Sequence, residues 1–125
     1  MGKMLQEEMN IAELCLSWAD GFSGDITVCD QEGIIQFMNK ASIESFRNSG
    51  GARLIGSNLL DCHPEPSRSK LQDLLKNHRE NIYTTEKGGI KKIIMQVPWF
   101  SEGVFRGLIE IATIIPPDMP HFIRK

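Results

Sequence analysis

The histidines, the cysteines and one Arg–Glu spacing are the residues of this chain that could do chemistry. An imidazole nitrogen aimed into an apolar interior is what axial ligation of a haem iron requires. His78 follows Leu71, Leu74 and Leu75 on the apolar face of a helical stretch, and His63 stands just before that stretch in a Cys-His-Pro step. Each also has a plainer use. His63 can bond backbone at the helix start, and His78 can close the helix C-terminus, where the dipole favours it. His121 lies in the tail and is incidental. A helix N-terminus favours the thiolate, so redox chemistry is one use for Cys62 and a small inert core residue is the other. Cys62, His63 and Glu65 are too close in sequence to converge on one ion, and no metal site is expected. Arg106 and Glu110 share a strand face, either as a solvated ion pair or with the carboxylate turned into a pocket. No Gly-x-Ser-x-Gly, Walker loop or Gly-x-Gly-x-x-Gly is present, so no enzymatic activity is expected.

These side chains depend on the elements around them. Leu5, Met9, Ala12, Leu16 and Ala19 step by 4, 3, 4 and 3 residues, which predicts an amphipathic helix over 4–20. A second stripe (Met4, Ile11, Cys15, Trp18) widens its apolar face beyond one packing surface. The first stripe is therefore the expected dimer interface, and a helix lying over the core is the alternative. Asp25–Cys29 reads as a strand, Asp30–Gly33 as a hairpin turn and Ile34–Met38 as its return strand. Asn39 can cap a short helix over Lys40–Phe46. Residues 47–57 read as loop, and Pro64, Pro66 and Ser67 set up a longer helix ending near Asn77. Three strands follow, over 80–86, 90–100 and 104–115, separated by Lys87-Gly88-Gly89 and Ser101-Glu102-Gly103; Pro116-Pro117 stops the last.

Two hairpins joined by a helical crossover give an α+β fold: a five-stranded antiparallel sheet with helices on one face, preceded by the amphipathic helix. The division is 1–22 for the N-terminal helix, 23–115 for the sheet domain and 116–125 for an extended tail. A pocket can open between sheet and crossover. Its expected lining is Ile26, Val28, Phe37 and Phe46, with Leu71 and Leu75 from the helix. Met95, Val97, Ile109 and Ile111 complete it from the last two strands. Such an apolar lining suits a flat or lipid-like guest better than a polyanion.

Composition narrows the function classes. A length of 125 residues supports one domain, with 41% apolar and 24% charged residues. Fourteen basic against 16 acidic side chains leave a net charge of −2, which speaks against nucleic acid as partner. No apolar run approaches the roughly 18 residues of a membrane span. The acidic N-terminus lacks the apolar segment of a secretory signal, and the odd cysteine count suits free thiols. The expected location is the cytoplasm.

The string from Ile26 to Ala41 (ITVCDQEGIIQFMNKA) resembles the opening of a PAS domain, with a strand, Asp-x-x-Gly, a strand ending in Asn, and a helix with Ala near its start. Leu54–Leu60 (LIGSNLL) is similar to the step before that family's long helix, and Gly103–Glu110 (GVFRGLIE) to its last hairpin. Coverage runs from about 25 to 115. The Cys62-His63-Pro64 step with Ser67, together with Gly107–Glu110, is most similar to PAS domains at the ends of some hemerythrin-type proteins of anaerobes. The resemblance implies a sensory or interaction module that binds a small molecule and homodimerises through the helix before its first strand. With no room for an output domain, it implies a signal passed to a partner protein in trans. Members of the family bind haem, flavin, carboxylates or fatty acids, or bind nothing, so a haem-based gas or redox sensor is one alternative and a ligand-free dimerisation scaffold or small pocket enzyme another. Haem remains open here, because haem-binding relatives place their ligand roughly where His78 stands. Flavin is not expected: Leu59, not Cys, follows Asn58, and Leu108, Ile109 and Ile111 stand where ring-edge amides would be needed.

Overall fold

A computed structural model describes residues 10–125. Helix α1 (Ile11–Gly21) begins at Asn10, whose side-chain oxygen accepts from Glu13 N at 2.8 Å while its amide donates to the Glu13 carboxylate. The first of these bonds satisfies an N-terminal donor that the helix itself cannot. Strand β1 (Asp25–Cys29) and strand β2 (Ile35–Met38) form the first hairpin. Asp30 closes its turn by accepting from Glu32 N and Ile34 N, both at 2.9 Å. Gly33 takes a φ of 92° there, a region open to glycine.

Helix α2 (Lys40–Ser45) starts at the fully buried Asn39, which does more than cap it. Asn39 Oδ1 accepts from Ser42 N and from Ile26 N at 2.9 Å. Its Nδ2 donates to the carbonyls of Ala19 at 3.0 Å and Gly24 at 2.9 Å. One side chain thus ties the end of α1, the start of β1 and the first turn of α2 together. Residues 47–57, expected as loop, hold two single 3₁₀ turns (Arg47–Ser49 and Gly51–Leu54), because the Phe46 carbonyl takes both Ser49 N and Gly51 N. A third covers Leu59–Cys62, capped by Asn58.

Helix α3 (Ser67–Asn77) buries Leu71, Leu74 and Leu75 against Cys29 and Leu108 of the sheet. Strands β3 (Asn81–Lys87), β4 (Ile90–Ser101) and β5 (Val104–Ile114) follow, and the antiparallel sheet is ordered β2-β1-β5-β4-β3. At Gly107, β5 passes so close to β1 that a Cβ would stand 1.9 Å from the Cys29 carbonyl oxygen. The α+β fold and the helical crossover on one face are as expected. From Pro116 to Lys125 the chain is without helix or strand. No helix among the described residues is long and apolar enough to cross a membrane.

Candidate functional site

Side chains alternate between faces along a strand, so the register decides which residues meet the helices. Thr27, Glu110, Gln96 and Asn81 stand opposite one another across β1, β5, β4 and β3. Asp25, Ala112, Ile94 and Tyr83 form the next row on the same face. This face and the crossover enclose a cavity of about 640 Å³. Its apolar lining comes from Ile35 and Met38 of β2, Phe46 and Leu54 of the short helical turns, Leu59, and Ile94. Its polar lining is Asp25, Thr27, Tyr83, Thr85, Lys92 and Glu110, on the same sheet face as Met38 and Ile94. Cys62, His63, Ser45 and Ser49 close the crossover side.

That lining differs from the expected one. Val28, Phe37, Ile109 and Val97 form one cross-strand row, and Ile26, Ile111 and Met95 belong to the next. Both rows lie on the sheet face opposite the crossover. Only Phe46 and Leu71 of the expected set lie on the cavity or its small inner extension, while Leu75 is packed in the core. The correction has a simple cause: both faces of β4 and β5 carry apolar residues, and alternation separates two faces without saying which one the helices cover. Glu110, expected either as half of a solvated pair or as a pocket carboxylate, lines the cavity; the rest of the polar set on these strands was the missed signal. Glu110 stands between apolar neighbours on a long apolar strand, and Lys92 and Gln96 repeat at the same parity on β4.

The polar rows are bonded in one direction. Asn81 Nδ2 donates to Gln96 Oε1 at 2.8 Å, and Gln96 Nε2 donates to Glu110 Oε1 at 2.9 Å. Burial is the main cause that pushes the Glu110 carboxyl above its ordinary range. The Gln96 amide and the His63 charge pull it back, and Asp25 adds to the rise. Burial and the Glu110 charge also push the Tyr83 phenol up. Thr27 Oγ1 is engaged with Ser42 Oγ at 2.6 Å, and Asp25 Oδ1 accepts from Ser45 Oγ at 2.9 Å.

The two histidines part company. His63 lines the cavity, with Nδ1 bonded to the Leu59 carbonyl at 2.6 Å. His78 is the left-handed C-cap of α3 (φ 55°), and its ring stacks on Phe105 at 3.8 Å and meets Phe100 edge-on. It continues the leucine spacing but the helix ends beneath it, so it turns to the hairpin of β4 and β5 rather than to the cavity. Haem therefore fits poorly. The better-spaced imidazole is elsewhere, and a flat apolar ring over the sheet would lie on Asp25, Glu110 and Lys92. Cys62 is exposed and lines the cavity mouth, while Cys29 is a buried thiol pushed up mainly by burial. Arg106 and Glu110 form no ion pair within 4 Å among the described residues. No group of three or more His, Cys, Asp or Glu placed to hold a metal occurs among them either.

Of the expected dimer stripe, Leu5 and Met9 lie outside the described residues. Ala12 and Leu16 are exposed, and Ala19 is half-buried where its carbonyl meets Asn39. No residue of α1 is buried, and Leu16 and Trp18 keep 64% and 58% of their surface.

The same architecture is found among solved structures. The PAS domain of Bordetella pertussis BvgS superposes with a TM-score of 0.63 at 20% identity, covering 86% of this chain and 88% of that one. A PAS domain from Colwellia psychrerythraea gives 0.60 at 20% identity, over 85% and 98% of the two chains. The Aer2 receptor of Vibrio cholerae, described as a dual PAS-heme oxygen sensor, gives 0.55 at 20% identity, over 74% and 95%. No family model matches the chain, and neither does any curated protein. The fold is that of a PAS domain. The narrower likeness to hemerythrin-associated modules gains no support from these structures.

Proposed function

We propose that this chain is a sensory module that holds a small molecule in the cavity between crossover and sheet and dimerises through its N-terminal helix. The observation that carries the reading is the cavity itself. About 640 Å³ lined by apolar residues together with a few oriented polar groups is the size and make-up of a ligand site. Supporting it, solved structures with this fold include PAS domains of the histidine kinase ThkA and of BvgS. Ligand binding would favour one arrangement of the crossover and α1 over another, and a partner protein in trans would read the shifted population. The reading is non-catalytic, and places the module in the cytoplasm with no nucleic acid or membrane contact.

Native mass spectrometry of the purified chain tests it. The expected result is a dimer carrying a small-molecule adduct that denaturation releases. A bare monomer in every preparation overturns both halves of the reading. An absorption spectrum is expected to be colourless above the aromatic band, and a Soret band would restore haem, with His63 as its ligand.

A further inference from the structure

We propose that the cavity recognises a small organic cation, an amine or amidine on an apolar body, with the Glu110 carboxylate as its counter-ion. This rests on the sensory-cavity reading and goes beyond it by naming the class of guest.

The direction of the amide chain is the first observation. An ionised carboxylate only accepts hydrogen bonds, so Gln96 must turn its NH₂ to Glu110 and its oxygen to Asn81, which then presents its own NH₂. Both bonds have that polarity, at 2.9 and 2.8 Å. The chain ends on an acceptor, and the complementary guest is a donor. The second observation is a missing partner. Glu110 Oε2 has no hydrogen bond and no cation within 4 Å among the described residues. It is not sealed away either, since Trp99 Nε1 is the one enclosed side-chain atom found without a partner among them. Glu110 lines the cavity, so a guest can reach that oxygen.

The surrounding charges agree. Asp25 adds a second carboxylate to the lining, with one bond from Ser45. Lys92 is the one lysine on it, four residues from Gln96 along β4, ~13 Å from the rung that bears Glu110. An anionic guest would face two acids, with His63 and that distant lysine for compensation. Met38 stands in the same cross-strand row as Glu110, and Phe46 and Leu54 of the crossover face the sheet, so an apolar body can lie beside the carboxylate.

The test uses the full chain and three probes of matched shape, 2-phenylethylamine, 2-phenylethanol and phenylacetate, followed by calorimetry and by the side-chain amide signals of Gln96 and Asn81. At neutral pH the amine is expected to bind at least about tenfold tighter than phenylacetate, and Glu110→Gln to remove most of that preference. Because that variant can fail to fold, a second readout uses the unmutated chain. The side-chain carboxyl carbon of Glu110 should titrate at lower pH with the amine bound, and amine affinity should fall as pH drops through that titration. Asp25, Cys62, His63, Tyr83 and Lys92 also face the cavity, so the Glu110 signal itself is followed. Phenylacetate or 2-phenylethanol binding as tightly as the amine, or an unmoved Glu110 titration, overturns the cation proposal and leaves the cavity reading standing. Failure of all three probes to bind overturns both.

Discussion

Glu110 is a carboxylate on a strand whose neighbours Ile109 and Ile111 face the other way, and its environment raises its proton affinity in the folded state. An acid with a folded-state pKa above its unfolded one is most stabilising when protonated. Its contribution is complete below the ordinary value near 4.5 and is lost as pH rises towards the folded value. Glu110→Gln keeps the shape and still accepts from Gln96, without a charge to desolvate. The melting temperature of the variant, relative to the unmutated chain, should therefore rise as pH goes from 4.5 to 7.5. A constant difference across that range would show that Glu110 keeps its ordinary affinity for protons.

Asn39 belongs to the scale of elements, because its bonds join three of them. Its cap on α2 was legible from Asn before a short apolar-spaced segment, since capping is local in sequence. The bonds to Ile26, Ala19 and Gly24 were not legible, since they form only when β1 and α1 arrive beside it. The two roles predict different results. Asp keeps the acceptor for Ser42 N but turns an acceptor on the carbonyls of Ala19 and Gly24; a pure cap would tolerate it. As a junction, Asn39→Asp and Asn39→Ala should each cost on the order of 2–4 kcal/mol in chemical denaturation, because buried groups lose partners. The aspartate variant at neutral pH is the discriminating one.

At the scale of the molecule, α1 is the element with apolar surface and nothing described to cover it. Ile11, Leu14, Leu16 and Trp18 are all exposed on a helix with no buried residue. Covering a side chain of this size is worth roughly 1.5–3 kcal/mol, so a second copy laid along α1 gains enough to matter. Sedimentation analysis of Leu16→Glu with Trp18→Glu is expected to show monomers whose melting temperature and sheet content are nearly unchanged, because neither residue supports the core. Persistence of the dimer in that variant would move the interface elsewhere, with the apolar outer rows of β4 and β5 as the place to look.

Element order, the Asp30 turn, the hairpins and the leucine face of α3 were all readable from sequence, because each rests on contacts between residues close in the chain. The likeness of residues 26–41 to a PAS opening was readable for the same reason. Tertiary structure alone decided that Thr27, Gln96 and Glu110 face inward while Val28, Val97 and Ile109 face out. A period of two is the same seen from either side, and only the arrival of the crossover breaks that symmetry. It also decided that His63 reaches the cavity and His78 does not, since the helix that spaces His78 with its leucines ends at that residue.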